Sequence, residues 1–380
     1  MRVEAATVKG SIVLMSLAVL AGCGKTPSGF ERTMENGIEV VSNPLRPAGS
    51  ISPALTRIFS LDPSRPDLAA AGLGDIGTSF DVDAEGCLYF CRPENKEGML
   101  LKFDRTGAFV KAFSRFGQGP GEIQTNASLA LSEAGEIAVT DPAGRKIAFF
   151  SKDGDLIREL KAAFDIIAAV PLADGRFVVW RRVPDHEPEH MAEYALEVRG
   201  AGLEPGPELD RQTIPAPVPG GVFLGSYHVF SWGVSGDRIF TCFQDRGYEI
   251  RVFDLAGKLV RKIRKAHSPV PPSESYKTAY AAAAPAFLRP QIEFPEFMPP
   301  VDSIFTDRSG RLFVLTYEVD QASGGSVFDV FDADGRLTGR ISLTVFRDGF
   351  GGHLKARGGK LYVLSENAEG YKILTIYGFE

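Results

Sequence analysis

A short turn that ends in glycine and leads directly into a β-rich run recurs six times along the chain, and it constrains the fold most strongly. The first copy is Ala84-Glu85-Gly86 followed by Cys87-Leu88-Tyr89-Phe90. The six turn glycines are Gly86, Gly135, Gly175, Gly236, Gly310 and Gly359, spaced by 49, 40, 61, 74 and 49 residues. Repeats of about 40 to 50 residues with four strands each are typical of propeller blades. The repeat therefore predicts an all-β fold, a six-bladed β-propeller.

A second series of glycine turns indicates the hairpin between the third and fourth strands of a blade. It occupies residues 104–107, 152–154, 254–257 and 332–335, with a looser equivalent at residues 200–202. The sixth blade has no such turn, because the sequence ends after its third strand. We expect an early strand, either residues 38–41 or residues 55–61, to complete this blade. That pairing closes the propeller at both chain ends over residues 38–380 and covers the sheet edge that an open ring would expose.

Composition agrees with such a fold and narrows the choice of partners. With 41 Gly and 25 Pro in 380 residues, the chain suits a turn-rich β protein. The formal net charge is −6, and no long basic run interrupts it. Because phosphate backbones are bound by clustered Lys and Arg, we expect no nucleic-acid partner.

The amino terminus carries a targeting pattern. Arg2 and Lys9 flank an apolar stretch at residues 11–20, and Leu20-Ala21-Gly22-Cys23 follows it. This order resembles a bacterial lipobox. The resemblance implies a lipoprotein signal peptide at residues 1–22, lipidation of Cys23 and a flexible tether over residues 23–37. Gly24 after the modified cysteine implies the outer membrane, facing the periplasm. The alternatives are a signal peptide with an incidental cysteine, or a buried helix.

Blades one and two also resemble a known repeat. The segment at residues 116–123, Phe-Gly-Gln-Gly-Pro-Gly-Glu-Ile, precedes Gly135-Glu136-Ile137-Ala138-Val139 and the run at residues 145–150. Together they are similar to NHL repeats, and the chain resembles bacterial six-bladed propeller lipoproteins built from them. This resemblance implies the fold. It leaves activity open, because the family includes binding scaffolds, lyases and hydrolases.

The loops after the second and fourth strands of each blade are expected at one mouth of the central channel. There we expect charged side chains that bind a ligand: Arg92, Asp141, Arg181, Arg182, Arg246 and Glu318. The four arginines among them suit an anionic ligand. Two long insertions, residues 212–226 and 268–300, start from fourth strands. The second can hold a helix over residues 274–288 with Ser273 as its N-cap, and it is either a lid or a surface decoration.

Metal chemistry is the main alternative. His186-Glu187-Pro188-Glu189-His190 has the letters of a zinc-protease motif, but Pro188 breaks the helix that this motif requires. His228 and His353 begin inner strands, and His186 or His190 could join them around a divalent metal in the channel. The alternative is that these histidines are unrelated. The acidic turns at residues 81–86 and 332–335 are better explained as hairpins than as calcium loops.

No nucleophile elbow, phosphate loop or dinucleotide pattern is present in the sequence. Cys87, Cys91 and Cys242 are expected to be buried small apolar residues.

The leading hypothesis is a lipid-anchored binding or scaffolding module of the cell envelope, without enzymatic activity or a cofactor. Its expected partners are the membrane, through the N-terminal lipid, and an anionic glycan, a peptide or an envelope protein. The alternatives are a metal-dependent lyase or hydrolase that uses the channel histidines, and a subunit of a larger envelope assembly.

Overall fold

The computed structural model describes residues 29–47, 55–70, 73–74, 76–77, 79–92, 97–125, 128–184, 191–215, 223–224, 230–284, 286–307, 309–344, 353–366 and 370–379. The predicted signal peptide and Cys23 lie outside these residues. Within the described ranges, no helix has the length and apolar content needed to cross a membrane.

Three strands and a short helix precede the first blade. They are β1 (Glu31–Glu35), β2 (Ile38–Asn43), β3 (Leu55–Leu61) and α1 (Pro66–Ala70). β1 and β2 form a hairpin around Asn36 and Gly37, both of which have positive φ, as a tight two-residue turn requires. Residues 31–37, predicted as part of the flexible tether, are therefore a strand and a turn. The Asn-Gly pair is the sequence signal for this hairpin.

Blades one to three are four-stranded antiparallel sheets built in chain order. Blade one contains β4 (Ser79–Val82), β5 (Leu88–Cys91), β6 (Glu97–Phe103) and β7 (Phe109–Arg115). Blade two contains β8 (Ser128–Leu131), β9 (Ile137–Asp141), β10 (Lys146–Phe150) and β11 (Leu156–Lys161). Blade three contains β12 (Ile166–Pro171), β13 (Phe177–Val183), β14 (Met191–Arg199) and β15 (Glu208–Pro215).

Blades four to six complete the ring and carry the two insertions. After the short strand β16 (Phe223–Leu224), blade four contains β17 (Phe230–Ser235), β18 (Arg238–Phe243), β19 (Glu249–Asp254) and β20 (Leu259–Lys265), with a 3-10 turn at Gln244–Arg246. The second insertion holds α2 (Glu274–Ala283), a 3-10 turn (Arg289–Gln291) and β21 (Ile292–Glu293). Blade five contains β22 (Ser303–Thr306), β23 (Leu312–Val319), β24 (Ser326–Phe331) and β25 (Leu337–Leu343). Blade six contains β26 (His353–Arg357), β27 (Lys360–Glu366) and β28 (Lys372–Phe379).

The ring closes through β3, which pairs antiparallel with β28 as the outer strand of blade six. The prediction of a six-bladed propeller closed by the two chain ends is thus confirmed, with residues 55–61 as the closing strand. The other candidate, residues 38–41, lies elsewhere. It belongs to β2, which runs parallel to β20 and widens blade four to six strands.

Apolar side chains pack between neighbouring blades rather than within one sheet. Among the described residues, six hydrophobic clusters fill the six boundaries of the ring. At the boundary of blades six and one, Leu61 from β3 and Phe80 from β4 are both buried. The closing strand therefore contributes directly to the core.

Every blade has the same irregularity between its third and fourth strands. The register shifts by one residue there, as in a β-bulge, and the extra residues are Ile58, Val110, Ile157, Leu209, Val260 and Thr338. A bulge increases local twist. The outer strands can therefore turn away from the channel axis and pack against the next blade.

Candidate functional site

The six innermost strands, β4, β8, β12, β17, β22 and β26, line a central channel with a volume of about 560 Å³. This volume lies within the range of small-molecule sites. The side chains that alternate toward the axis from these strands define its surface.

Serine side chains join the inner strands to one another. Ser79 Oγ accepts a hydrogen bond from the Leu129 backbone N–H at 2.8 Å, and Ser231 Oγ accepts one from Ile304 at 2.9 Å. Ser128 Oγ accepts a longer one from Ala169 at 3.4 Å. Strands of different blades do not share a ladder, so these hydroxyls help to satisfy backbone groups at the strand edges. The Ala169 N–H also donates to Thr140 Oγ1 at 3.1 Å. The serines of the channel wall therefore add polar links at three of the blade boundaries.

One wall of the channel is charged. Asp81 from blade one lies 3.1 Å from Lys355 Nζ and 3.7 Å from Arg357 Nη1, both from blade six. Its carboxylate also accepts the backbone N–H groups of Val82 and Leu131, each at 2.8 Å. Two cations thus converge on one well-bonded carboxylate on this wall. The described lining also includes two other carboxylates, Glu133 and Asp307, and Asp307 is bound by Arg311 at 2.7 Å. The Lys355 side chain is still 35% exposed, so its ammonium group can contact a ligand.

The opposite wall is apolar. Blades three and four lie across the ring from blades six and one, and they contribute Ala168, Val170, Leu172, Trp232 and Val234 to the lining. The channel therefore has a cationic side and an apolar side, an asymmetry that the six-fold repeat does not require.

The apolar wall continues into an aromatic group between blades three and four. Trp180 contacts Tyr194 with ring centroids 5.5 Å apart and Phe230 with centroids 6.0 Å apart. Both Trp180 and the channel-lining Trp232 pack on the hydrophobic cluster of this boundary. They are the two tryptophans of the chain.

Of the six charged residues predicted at the channel mouth, Arg92 and Asp141 are buried. Arg92 donates to the Gly98 carbonyl through Nε and Nη2 at 3.1 and 3.0 Å. Asp141 accepts from the backbone N–H groups of Gln124, Thr125 and Gly144, at 3.0 to 3.2 Å. Both side chains therefore organise loop backbones.

Two others form ion pairs inside the propeller. Arg181 pairs with Glu197, which also binds Arg199 at 2.7 Å. Arg246 binds Asp210 through the two terminal guanidinium nitrogens, Nη1 and Nη2, and so joins blades three and four.

Glu318 pairs with Arg340 Nη2 at 2.7 Å, and Arg340 Nε also lies 2.9 Å from Asp329. Arg182 is exposed, and its backbone N–H donates to the Asp165 carbonyl. None of the six predicted residues belongs to the described channel lining. Their role as ligand contacts stays a prediction.

The sequence patterns do not single out the charged residues of this channel wall, Asp81, Lys355 and Arg357. The signal that could have found them is their position in or beside inner strands, since β26 carries two cations at alternate positions and β4 carries one acid.

The predicted metal ligands His186, His190 and His228 lie outside the described residues. His353 is the first residue of β26, opposite Leu364, and its side chain is not described. Across the described residues, no group of three or more His, Cys, Asp or Glu side chains is placed to share a metal.

The acidic turns are hairpins, as expected. Asp83 accepts the Cys87 backbone N–H at 2.8 Å, and Asp332 accepts those of Asp334 and Arg336 at 3.0 and 2.9 Å. Cys91 and Cys242 are buried, and burial raises the pKa of each thiol to about 12. Both are therefore unreactive at neutral pH.

The two insertions contact each other, which the sequence did not indicate. β16 from the first pairs in parallel with β21 from the second. Ser273 caps α2 as predicted, accepting the Tyr276 N–H at 3.1 Å, but the helix ends at Ala283 rather than at residue 288. Ala284 is extended because it precedes Pro285.

The second insertion has a small core of its own. Tyr276 and Tyr280 pack with Met298, and Tyr317 of β23 contacts them from blade five. The insertion is therefore attached to blade five, and a function as a lid stays a prediction.

Comparisons with known proteins agree on the architecture. A family model described as a 6-bladed beta-propeller matches residues 76–204. No curated protein matches the sequence. A solved structure of a Bacteroides fragilis protein described as exported is 13% identical, with a TM-score of 0.52, over 90% of this chain and 99% of that one.

Two enzymes are more distant in structure. Virginiamycin B lyase from Staphylococcus aureus is 10% identical with a TM-score of 0.44, over 85% of this chain and 99% of that one. A gluconolactonase from Xanthomonas campestris is 15% identical with a TM-score of 0.44, over 88% of this chain and 99% of that one. Together with the ring of six sheets, the family model and the Bacteroides structure support the fold and leave the function open.

Proposed function

We propose that the protein is a lipid-anchored ligand-binding module of the bacterial cell envelope, and that its channel holds a small molecule with an anionic group and an apolar part. The observation that carries this proposal is the asymmetric lining of the channel. Lys355 and Arg357 both face the carboxylate of Asp81 on one side, and apolar side chains from blades three and four lie opposite them.

The energetics of the two walls support the ligand class. Inside a narrow channel the effective dielectric constant is lower than in water, so the partly exposed ammonium group of Lys355 attracts an anionic group more strongly there than on the open surface. Covering the apolar part of the ligand with the apolar wall adds hydrophobic free energy of binding. A molecule with both features satisfies both walls at once.

The paired state of the mouth residues favours the channel over the loops as the binding site. Arg181 and Arg246 already hold carboxylates of the propeller, and using them for a ligand would require breaking those ion pairs. Lys355 is 35% exposed beside the channel and can contact an anion without losing Asp81.

Location is part of the proposal and rests on the lipobox-like sequence ending at Cys23. The described chain begins at the outer rim, where the Phe30 ring lies 4.5 Å from the Arg336 guanidinium of blade five. The six residue steps from Cys23 to Gly29 span at most about 20 Å when extended. A lipid on Cys23 would thus hold the rim close to the membrane surface. The description of the Bacteroides fragilis protein as exported agrees with this location.

Ligand binding can be tested with thermal shift and calorimetric titrations of amphipathic carboxylates, such as octanoate and phenylacetate, against neutral analogues. We expect carboxylates to stabilise the protein and Lys355→Met to weaken their binding about tenfold, the loss of one charge-assisted contact.

Lys258→Met is the matched control, because Lys258 is an exposed turn residue of blade four and the charge change is the same. Equal losses in both variants, or stabilisation by the neutral analogues alone, would contradict the proposal.

The metal-dependent lyase or hydrolase stays the second proposal, since His353 begins the channel strand that also carries Lys355. It predicts stoichiometric metal in the purified protein, lost in the His228→Ala and His353→Ala variants. Elemental analysis of these proteins decides it.

A further inference from the structure

The boundary between blades three and four presents a set of side chains on one face. Trp180 lies opposite Leu196, and Tyr194 lies opposite Gln212. Directly opposite residues of an antiparallel pair share a face, and so do residues two apart on one strand. Trp180, Tyr194 and Gln212 are therefore on the same face as Asp210, which reaches Arg246 and Thr241 of blade four.

Part of this face is buried in the interior, and its aromatic side chains are partly exposed. Toward the interior, Val178, Leu196 and Ile239 are fully buried in the cluster that joins the two blades. Trp180, Tyr194, Phe230 and Trp232 are only half-buried, and Trp232 lines the channel. We call these four aromatic residues together with Gln212 the aromatic subsite. It meets the apolar wall of the channel at Trp232, the one member of the set in the described lining.

Among the residues that the structure describes, two buried polar atoms of the subsite have no hydrogen-bond partner. Gln212 is 3% exposed, and its Oε1 accepts no hydrogen bond. Trp180 Nε1 is also buried, and it donates none. Buried polar atoms are nearly always paired in folded proteins, because leaving them unpaired destabilises the fold. An unpaired acceptor and an unpaired donor on one face therefore indicate a group that binds there.

We propose that the aromatic subsite binds a saccharide ring. A hydroxyl group donates and accepts at the same time, so sugar hydroxyls can satisfy both Gln212 Oε1 and Trp180 Nε1. The apolar faces of a sugar ring can cover the half-buried aromatic rings. Because the opposite wall of the channel is cationic, the saccharide is an acidic one. The inference rests on the proposed function in that it names the class of the channel ligand.

The test uses the two tryptophans, which are the only ones in the chain and both belong to the subsite. Their fluorescence is titrated with glucuronate, galacturonate, glucose and cellobiose. We expect a saturable change in emission, tighter binding of the acidic sugars, and at least a tenfold loss of affinity in Gln212→Met. Trp180→Phe, which removes the indole N–H group and keeps an aromatic ring, should show a similar loss through Trp232 emission.

Gln118→Met is the matched control, since Gln118 is exposed in the loop that enters blade two. A second readout is the melting temperature of the unliganded proteins. Gln212→Met removes an unpaired buried acceptor, so we expect it to melt at a higher temperature than the parent protein, and Gln118→Met to melt at the same temperature. A lower melting temperature with unchanged binding would make Gln212 a structural residue and overturn the proposal.

The outcomes separate this inference from the proposed function. Binding of octanoate that depends on Lys355, without a fluorescence response to any of the four saccharides, overturns the saccharide subsite and leaves the anionic channel site in place. A fluorescence response to saccharides that depends on Gln212 and Trp180 but not on Lys355, with no preference for acidic sugars, supports the subsite. The same result contradicts the selection of acidic sugars by the cationic wall.

Discussion

Gly154 shows how a single residue fixes the distance between two blades. It has φ of +83° in the turn between the third and fourth strands of blade two, and a Cβ there would lie 2.7 Å from the Phe113 ring of blade one. Gly335 of blade five approaches Ile263 of blade four in the same way. Glycine at this turn is therefore required by backbone conformation and also by contact with the preceding blade.

Two substitutions separate these effects. Gly175 has φ of +84°, and no atom lies within 4 Å of the position that a Cβ would take, so Gly175→Ala should cost about 1 kcal/mol from backbone strain alone. Gly154→Ala should cost about 2 kcal/mol more, because Phe113 must move. Urea denaturation of the two variants measures the difference. Equal destabilisation would show that the inter-blade contact adjusts freely.

The carboxyl group of Asp83 makes the stability of the folded protein depend on pH. Burial alone would raise its pKa, but the hydrogen bond from Cys87 and the nearby Lys152 lower the pKa below the usual value for aspartate. A carboxyl with a depressed pKa in the folded state stabilises the protein above its unfolded pKa, about 4, and this contribution is lost as the pH falls through the folded pKa.

We therefore expect Asp83→Asn to be less stable than the parent at neutral pH and to show a smaller loss of stability on acidification below about pH 4. The measurement is the free energy of unfolding at several pH values. Asp237→Asn, at an exposed turn position, is the control. If Asp83→Asn kept the acid dependence of the parent protein, Asp83 would not contribute to it.

The charged residues predicted at the channel mouth show a limit of interpreting residues one at a time. Arg181 and Arg246 look like free loop cations in the sequence, because their partners Glu197 and Asp210 lie on other strands. The strand register that brings them together comes from the packing of whole sheets, which local sequence does not encode.

At the scale of elements, the N-terminal strands have different tasks. β3 closes the ring, whereas the β1–β2 hairpin covers the outer edge of blade four. The hairpin is attached through Asn43, whose amide donates to the Gly335 carbonyl at 2.9 Å and whose Oδ1 accepts the Leu337 N–H at 2.8 Å. Asn43 thereby joins blade four to blade five. Both candidate strands in the sequence are real, and only their positions in the ring distinguish them.

Two truncations test this division. A chain that begins at residue 44 loses the hairpin but keeps β3, and we expect a folded propeller destabilised by about 2–4 kcal/mol, from lost burial and the Asn43 hydrogen bonds. A chain that begins at residue 62 also loses β3 with its buried Leu61, and we expect no cooperative unfolding transition. Thermal unfolding followed by circular dichroism compares them. Similar behaviour of the two chains would mean that β3 does not close the ring.

For the whole molecule, the proposed anchor predicts where the protein is found. Cys23→Ser removes the thiol that would carry the lipid, so we expect the protein to move from the membrane fraction to the soluble fraction and to lose labelling by fatty acid in cells. The control is Cys87→Ser, since Cys87 lies on the propeller itself. Membrane association that survives Cys23→Ser would contradict the lipid anchor.

The sequence by itself determined the strand content of the blades, the number of blades and the position of their hairpin turns. These features depend on local chemistry, namely β-rich runs of alternating residues and glycine at positive φ, and each repeat carries its own copy. Even the choice of Ser273 as the cap of α2 followed from neighbouring residues.

Only the tertiary structure decided which early strand closes the ring, which charges are already paired and which residues face the channel. Asp81 of blade one and Lys355 of blade six lie far apart in the chain, yet they form one wall because these two blades are neighbours in a closed ring. Such contacts depend on how sheets pack around an axis, and their energies arise only after the ring has formed.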